Sequence, residues 1–314
     1  MDESWRPVAS RDLLQRRASL LAQVRTYFVS RDVLEVTTPA LINAPASDPQ
    51  IHSLRVADAG WLQTSPEYAM KRLLAAGSGD IFQICPVFRG AERSRLHNPE
   101  FTLIEWYRLG YNLERLMRET AQLVQELLGT TGVEFLSYED AFTRELQCDP
   151  LGAPDAQLGA LARAAGLDLG SATRCSRDEL LDFLIASVIG PRLGHGALTC
   201  LHRYPASQAS LAQLDPQDSR VALRFELYAR GVELANGFVE LADAHEQAAR
   251  FSADLALRAQ RGLPVTPLDQ RLIAALGAGL PECAGVALGF DRLLMLATGA
   301  ASIDAVLAFP SERA

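Results

Sequence analysis

Apolar positions recur at helical spacing between residues 11 and 31, at Leu13, Leu14, Leu20, Leu21, Val24 and Phe28, and predict an amphipathic helix. A short strand-like run, "VLEVTTP", follows and stops at Pro39. Residues 43–60 are rich in Pro, Ala, Asp and Gly and read as loop. "GWLQTS" is strand-like, and "PEYAMKRLLAAG" (66–77) enters a helix on proline and leaves it on glycine. "DIFQICPVFRG" (80–90) and "FTLIEWYRL" (101–109) are strands on either side of the polar "AERSRLHNPE", a long-looped antiparallel hairpin. Residues 112–129 and 137–146 predict helices. From about 149 to 198 the chain turns to Ala, Gly, Leu and Asp, the pattern of a peripheral helical insertion. Strands resume at 197–206 and 220–241, and helices at 243–261 and 269–278. Finally "GVALGFDRLLML" (285–296) joins a small, apolar strand to a helical run. The expectation is an α+β fold with a mainly antiparallel sheet flanked by helices, as one domain over 1–314.

Composition narrows the class. Of 314 residues, 48% are hydrophobic and 22% charged, ordinary for a soluble globular chain. No apolar run reaches the roughly 18 residues that span a bilayer, and the polar N-terminus is no secretory signal, so the cytoplasm is the expected compartment. Cys85, Cys148, Cys175, Cys200 and Cys283 are scattered and odd in number, which fits reduced thiols rather than a disulfide frame or zinc site. The net charge of −8 argues against a nucleic-acid scaffold. Lys71 is the only lysine. It does not sit in a G-K-[ST] loop, so a Walker-type phosphate cradle is excluded. Dinucleotide fingerprints, paired histidine metal ligands and a G-x-S-x-G elbow are also absent. A nucleotide would have to be held by arginines and a sheet platform.

Four segments carry more polar chemistry than their apolar surroundings explain. Glu67 opens the 66–77 helix, either as a first-turn acid favoured by the helix dipole or as a carboxylate for a substrate ammonium. In "FRGAERSRLHNPEFTLIEWY" (88–107), Arg89 ends a strand, and Arg93, Arg95 and His97 follow in the loop. Phe101, Glu105 and Tyr107 then alternate along the returning strand and share one face, a poor hydrophobic core and a plausible substrate floor. In "RFELYARGVELANGFVEL", Glu226, Glu233 and Glu240 recur every seven residues; nearby carboxylates beside a phosphate suit Mg²⁺. The last segment places Arg292 just after Gly289 at a helix start, apt for a triphosphate or for pairing with Asp291.

A strand-ending Phe88–Arg89, the loop closing His97-Asn98-Pro99-Glu100-Phe101, and the late G-x-x-x-G-x-D-R-L resemble motifs 2 and 3 of class II aminoacyl-tRNA synthetases. The N-terminal helix, strand and Pro39 resemble motif 1, which in that family builds a homodimer interface. "SPE", "HNPEFT-x-x-EWY" and "ELANGF-x-E" narrow the resemblance to the lysyl branch. "YPASQASLAQ" (204–213) is similar to a segment of the truncated lysyl-tRNA synthetase paralogues that ligate (R)-β-lysine to elongation factor P. The chain starts about ten residues before motif 1, so no N-terminal anticodon-binding OB module and no anticodon recognition are expected.

The resemblance implies a class II catalytic domain using ATP and Mg²⁺. It places Arg89 between the substrate carboxylate and the α-phosphate, and Phe101 under adenine. His97, Asn98, Gly90, Ala91, Leu234 and Gly289 line the nucleotide, and Arg292 grips the γ-phosphate. Glu226 and Glu233 hold the metal, so the catalytic groups are Arg89, Arg292 and Glu233. Ser65, Pro66 and Glu67 meet the amino-acid backbone end, while Glu105, Tyr107 and Glu240 receive the ε-ammonium. Ala287 stands where lysyl-tRNA synthetases have glycine, and its methyl tunes the pocket towards the β-isomer. The chain departs from the family's F-R-N-E: Gly90 and Ala91 follow Arg89, and the acid comes one residue later, at Glu92. Activation by positioning and charge neutralisation needs no covalent enzyme nucleophile, consistent with a chain that shows no nucleophile–base pair. Two other readings stay open: a free-standing enzyme that charges tRNA or makes a small product, and a regulatory paralogue that binds without turnover.

Overall fold

The structure, a computed structural model, describes residues 5–168 and 175–314. In chain order the elements begin with helix α1 (Arg11–Val29), then strands β1 (Leu34–Glu35), β2 (Leu41–Ile42), β3 (Arg55–Val56) and β4 (Gly60–Leu62). Helix α2 (Glu67–Ala75) leads to β5 (Ile81–Phe88) and β6 (Glu100–Leu109). Next come α3 (Leu113–Leu128), β7 (Val133–Ser137), α4 (Tyr138–Leu146), α5 (Asp155–Ala164) and α6 (Arg177–Leu184). Strands β8 (Leu198–His202), β9 (Leu214–Asp215), β10 (Asp218–Ala222), β11 (Arg224–Ala229) and β12 (Val232–Val239) follow. The chain ends with α7 (Ala244–Gln260), α8 (Gln270–Gly279), β13 (Cys283–Gly289) and α9 (Phe290–Thr298). Residues divide into two compact units, one comprising the chain up to 111 together with 241–314, the other 112–240. The sequence pattern suggests one domain with an insertion at 149–198; in the structure the described part of that segment lies inside the second unit.

In the first unit the strands run in the order β1, β5, β6, β13. β5 and β6 are antiparallel from Ile81↔Tyr107 to Phe88↔Glu100, and β6 pairs antiparallel with β13 from Leu109↔Cys283 to Leu103↔Gly289. Only the short edge pair of β1 with β5 is parallel. One face of this sheet is apolar: Phe28 of α1 stacks on Phe82 with ring centroids 4.6 Å apart and lies 5.2 Å from Trp106. All three side chains are fully buried. α1 starts under Ser10, whose side chain accepts the Leu13 N–H.

The loop-like stretch 43–60 contains β3, which joins β2 and β4 in a small antiparallel ladder. It is held by α7: buried Arg258 donates to the carbonyl of Asp48 (2.8 Å), and the Ser47 hydroxyl donates to Asp254 (2.7 Å). A proline- and glycine-rich segment with little ladder of its own is thereby ordered by side chains.

The second unit has the strand order β12, β11, β8, β7, antiparallel except for the β8–β7 pair. β7 was not legible as a strand in "VEFLS" because the run is short and its burial only partial. The described part of 149–198 forms α5 and α6, with Leu158, Leu181 and Leu184 buried among Tyr138, Phe142 and Ile189. Ser176 and Glu179 form a capping box at the start of α6. Residues 169–174, within the expected insertion, lie outside the described residues. No helix among the described residues is long and apolar enough to cross a membrane.

Replacing Phe28 by alanine removes the side chain that seals α1 on β5 and β6. We expect a loss of about 3–5 kcal/mol, read as a lower denaturant midpoint with an unchanged transition slope.

Candidate active site

Register places a polar grid on the other face of the β5–β6–β13 sheet. Residues directly opposite one another point to the same side, and alternate residues along each strand do too. Three rows therefore lie side by side: Ile81, Tyr107 and Gly285; Gln83, Glu105 and Ala287; Cys85, Leu103 and Gly289. Phe101, opposite Val87, ends the array. The expected common face of Phe101, Glu105 and Tyr107 is present, since the Tyr107 hydroxyl donates to Glu105 at 2.6 Å.

Glu105 is the centre of this face. It is 2% exposed, and its second oxygen accepts the Ser65 hydroxyl at 2.7 Å. Ser65 also caps the turn into α2 by accepting the Glu67 N–H at 3.0 Å. Burial, then the charge of Glu67, push the Glu105 carboxyl up to about 7; the two hydroxyls and Lys71 pull it back. Lys71, one turn along α2, reaches Glu67 at 2.7 Å. That lysine is 1% exposed, and a buried ammonium requires such a partner.

The β5–β6 loop arranges the arginines. Arg89 stands over the Phe101 ring, its guanidinium carbon 5.2 Å from the centroid, and donates to the Thr64 carbonyl at 3.4 Å. The Gly90 N–H donates to the His52 carbonyl at 2.7 Å. A Cβ there would meet the Leu54 side chain at 3.0 Å, so any larger residue would require Leu54 to shift. Ala91 takes a left-handed conformation (φ 62°) and turns Glu92 back to within 4.0 Å of Arg89.

Arg292 reaches the β5–β6 loop. It donates to the Leu96 carbonyl at 3.2 Å and meets His97 Nε2 at 2.6 Å, while His97 Nδ1 lies 2.7 Å from the Ser94 hydroxyl. Burial and the adjacent Arg292 charge hold His97 below the ordinary histidine range, so the ring is neutral at pH 7 and can accept from the arginine. Asp291, 1% exposed, holds Arg17 of α1 and accepts the Thr102 N–H at 2.6 Å. Asn98, expected to line the nucleotide, is committed to protein: its oxygen accepts from Arg93 and the Ser311 N–H, each at 3.1 Å, and its amide donates to the Glu100 carbonyl at 2.6 Å.

The second unit carries the other acids. β11 pairs Leu227 with Ala235 but Tyr228 with Glu233, so Leu234 is an extra residue in β12. That bulge restores Glu233 to the face shared by Glu226, Tyr228 and Asn236, although 233 and 236 are an odd number apart. Glu226 accepts from Arg224 and from the Tyr228 hydroxyl, both at 2.7 Å, and Arg224 also donates to Asn236 at 3.2 Å. Burial, then the Glu233 charge, raise the Glu226 carboxyl above its usual range. Both Glu226 oxygens are anchored, which leaves half-buried Glu233 as the more accessible of the pair. No group of three or more potential ligands suited to a metal occurs among the described residues. Two crowded carboxylates nevertheless fit Mg²⁺, which takes one or two protein carboxylates and completes its shell with phosphate oxygens and water. Glu240, just past β12, is 2% exposed, and its carbonyl accepts from Gln213 at 2.8 Å.

Sequence reasoning passed over several groups. Gln83 is buried in line with Glu105, and its place opposite a glutamate on the same face was the available signal. Arg17 and Arg224 were unreadable as partners of Asp291 and Glu226, since the first is distant in sequence and the second sits in an ordinary strand pattern.

The raised carboxyls have a consequence for stability. A carboxyl whose folded pKa exceeds its unfolded value binds more protons in the native state, so stability falls as pH rises between the two values. For Glu105 that window runs from the ordinary glutamate range up to about 7. We expect the ligand-free protein to lose thermal stability from pH 5 to pH 8, and Glu105→Gln to flatten that decline.

A family profile described as tRNA synthetases class II (D, K and N) matches residues 4–313. A Klebsiella pneumoniae subsp. pneumoniae protein named elongation factor P–(R)-β-lysine ligase is 48% identical over 320 aligned positions, covering 99% of this chain and 98% of its own length. A Salmonella dublin protein of the same name matches with the same identity and coverage. The chain belongs to the class II aminoacyl-tRNA synthetase family.

Proposed function

We propose that the protein uses ATP to activate (R)-β-lysine as an acyl-adenylate and then transfers the β-lysyl group to a lysine side chain of elongation factor P. It acts in the cytoplasm, as a homodimer built on the α1–β1–Pro39 region. The observation that carries the reading is the buried Glu105 carboxylate, held by Ser65 and Tyr107 on an otherwise close-packed sheet. A carboxylate pushed up to about 7 by burial is stabilised as an anion when a cation arrives, so an ammonium substrate completes the pair. A neutral side chain leaves the acid unanswered, which gives the discrimination. The near-full-length similarity to two proteins named as β-lysine ligases supports the same substrate class.

In the first step an oxygen of the substrate carboxylate attacks the α-phosphorus and pyrophosphate leaves. Arg89 is suited to both groups, because a planar guanidinium bridges carboxylate and phosphate, and it already stands beside Phe101, the proposed adenine platform. Arg292 takes the γ-phosphate in place of part of its present contact with His97. Mg²⁺ at Glu233, steadied by anchored Glu226, would neutralise charge on the triphosphate. Glu105 and Tyr107 take the terminal ammonium, and Ser65, Pro66 and Glu67 border the amino acid. Glu67 reaches the substrate while still paired with Lys71. Gly285, Ala287 and Gly289 keep the floor low, and the single methyl of Ala287 selects against the α-isomer. His97, Asn98, Gly90 and Ala91 set the loop around the nucleotide. In the second step the acceptor amine attacks the acyl carbon, AMP leaves and an amide forms.

The deciding experiment incubates the protein with ATP, (R)-β-lysine and an equimolar mixture of unmodified elongation factor P and tRNA. Label on the factor's lysine with none on tRNA is expected; labelled tRNA beside an unmodified factor overturns the reading. Absence of β-lysine-dependent pyrophosphate exchange would indicate a binding paralogue. Arg292→Ala is expected to cut pyrophosphate exchange by about 10²–10³-fold with an unchanged circular dichroism spectrum, and a wild-type rate would refute its triphosphate role.

A further inference from the structure

Two buried carboxamides beside Glu105 face their acceptors away from any protein donor. Gln83 and Gln63 are 2% and 1% exposed, and neither side-chain oxygen has a hydrogen-bond partner among the described residues. The Gln63 amide donates to the Pro86 carbonyl at 2.9 Å. Both carboxamides also lie against the Cys85 sulfur, where their hydrogen bonds favour the thiolate and partly offset the burial that pushes this thiol to about 12. Only donors favour a thiolate, so the N–H ends turn towards sulfur and the oxygens away from it. A buried acceptor left unanswered is costly and rare in a native fold, and calls for a ligand or water.

Position says which of the two faces the substrate. Gln83 is the cross-strand partner of Glu105, which is in turn opposite Ala287, so the three side chains form one row on the sheet's polar face. Phe101 stands two rows towards the loop, and Tyr107 one row the other way. The row of Gln83 is thus at the amine end of the proposed substrate, not the adenine end. Every group already on Glu105 is a donor, the Ser65 and Tyr107 hydroxyls, and the strand on its other side offers only a methyl. An ammonium, with three N–H donors, needs acceptors in more than one direction. Glu105 supplies one and the Gln83 carbonyl another.

We propose that Gln83 is a specificity-determining residue whose side-chain oxygen accepts an N–H of the substrate's terminal ammonium, in the same row as Glu105. A carboxamide suits this place better than a second acid. It accepts without adding another negative charge beside a carboxylate whose ionisation burial and Glu67 already disfavour. The inference rests on the proposed amine-activating function.

The test pairs a side-chain change with a substrate change. Pyrophosphate exchange is measured for wild type and for Gln83→Met, a near-isosteric side chain without the oxygen. Each enzyme is given (R)-β-lysine and 3-aminohexanoate, which has hydrogen in place of the terminal amine. Wild type should prefer β-lysine strongly in kcat/KM. In Gln83→Met that preference should fall by about tenfold or more, through KM for β-lysine, with KM for ATP unchanged. Gln83→Glu, which keeps an acceptor, should retain much of the preference. A preference equal to wild type in Gln83→Met would overturn the proposal and assign the oxygen to a buried water. If Gln83→Met unfolds, an equal loss of preference in Gln83→Glu and Gln83→Leu supports a packing role and likewise overturns it. Failure of wild type itself to activate β-lysine would refute the underlying function instead.

Discussion

The first unit is organised by one buried charge. Asp291, at the first turn of α9, is 1% exposed and must be paired. It takes the Arg17 guanidinium from α1 and the Thr102 N–H from β6, and Arg17 also donates to the Thr102 hydroxyl at 2.6 Å. Arg17 further lies 5.0 Å from the Phe290 ring centroid, so its charge is covered on a second side. A single carboxylate thereby ties the N-terminal helix, the floor strand and the C-terminal helix into one piece. Removing one partner of such a pair leaves an uncompensated buried charge, which typically costs about 3–5 kcal/mol. The next residue, Arg292, is aimed by that anchor: Asp291 faces the helix–strand junction, and Arg292 reaches the loop at Leu96 and His97.

With the frame fixed, the chemistry follows from crowding acids in a low-dielectric face. Glu105 has Glu67 nearby in the first unit, and Glu226 has Glu233 in the second. In both pairs burial is the larger cause and the neighbouring carboxylate the second. Each pair is only partly relieved by protein cations, Lys71 on Glu67 and Arg224 on Glu226. What remains at each pair is a deficit of positive charge. Tyrosine hydroxyls finish the arrangement: Tyr107 and Tyr228 each donate to the glutamate two residues earlier on the same strand. Such bonds fix the carboxylate rotamer before any ligand arrives, and pre-organisation of this kind is what an activating site requires.

Much of this was legible because strand periodicity is simple. The β5–β6 hairpin, its long loop and the common face of Phe101, Glu105 and Tyr107 follow from a period of two and a polar break. The motif arginines stood out in the sequence because a charge at the end of an apolar element has few structural excuses. Partnerships across long sequence distance were not readable. Nothing in "RDLLQRRAS" says that Arg17 rather than Arg16 meets Asp291, and nothing in "PEYAMKRL" says that Lys71 folds back on Glu67 instead of facing solvent. Short strands such as β3 and β7 were missed for a related reason, since their pairing is imposed by neighbours and not by their own pattern.

The seven-residue spacing of Glu226, Glu233 and Glu240 shows where pattern alone misleads. In an unbroken hairpin, Glu233 and Asn236 would point to opposite faces, because their separation is odd. The extra residue Leu234 re-phases the strand, so that Glu233, opposite Tyr228, joins Glu226 and Asn236 on one side. A bulge is an expensive way to place one carboxylate, since it breaks the ladder and leaves a residue unpaired. It is retained where aiming a side chain matters more than ladder regularity. The anchored acid, Glu226, and the aimed one, Glu233, then divide the work: the first is immobilised by Arg224 and Tyr228, while the second keeps the exposure a ligand needs. The irregular strand therefore sets the facing of Glu233 more sharply than its heptad spacing does.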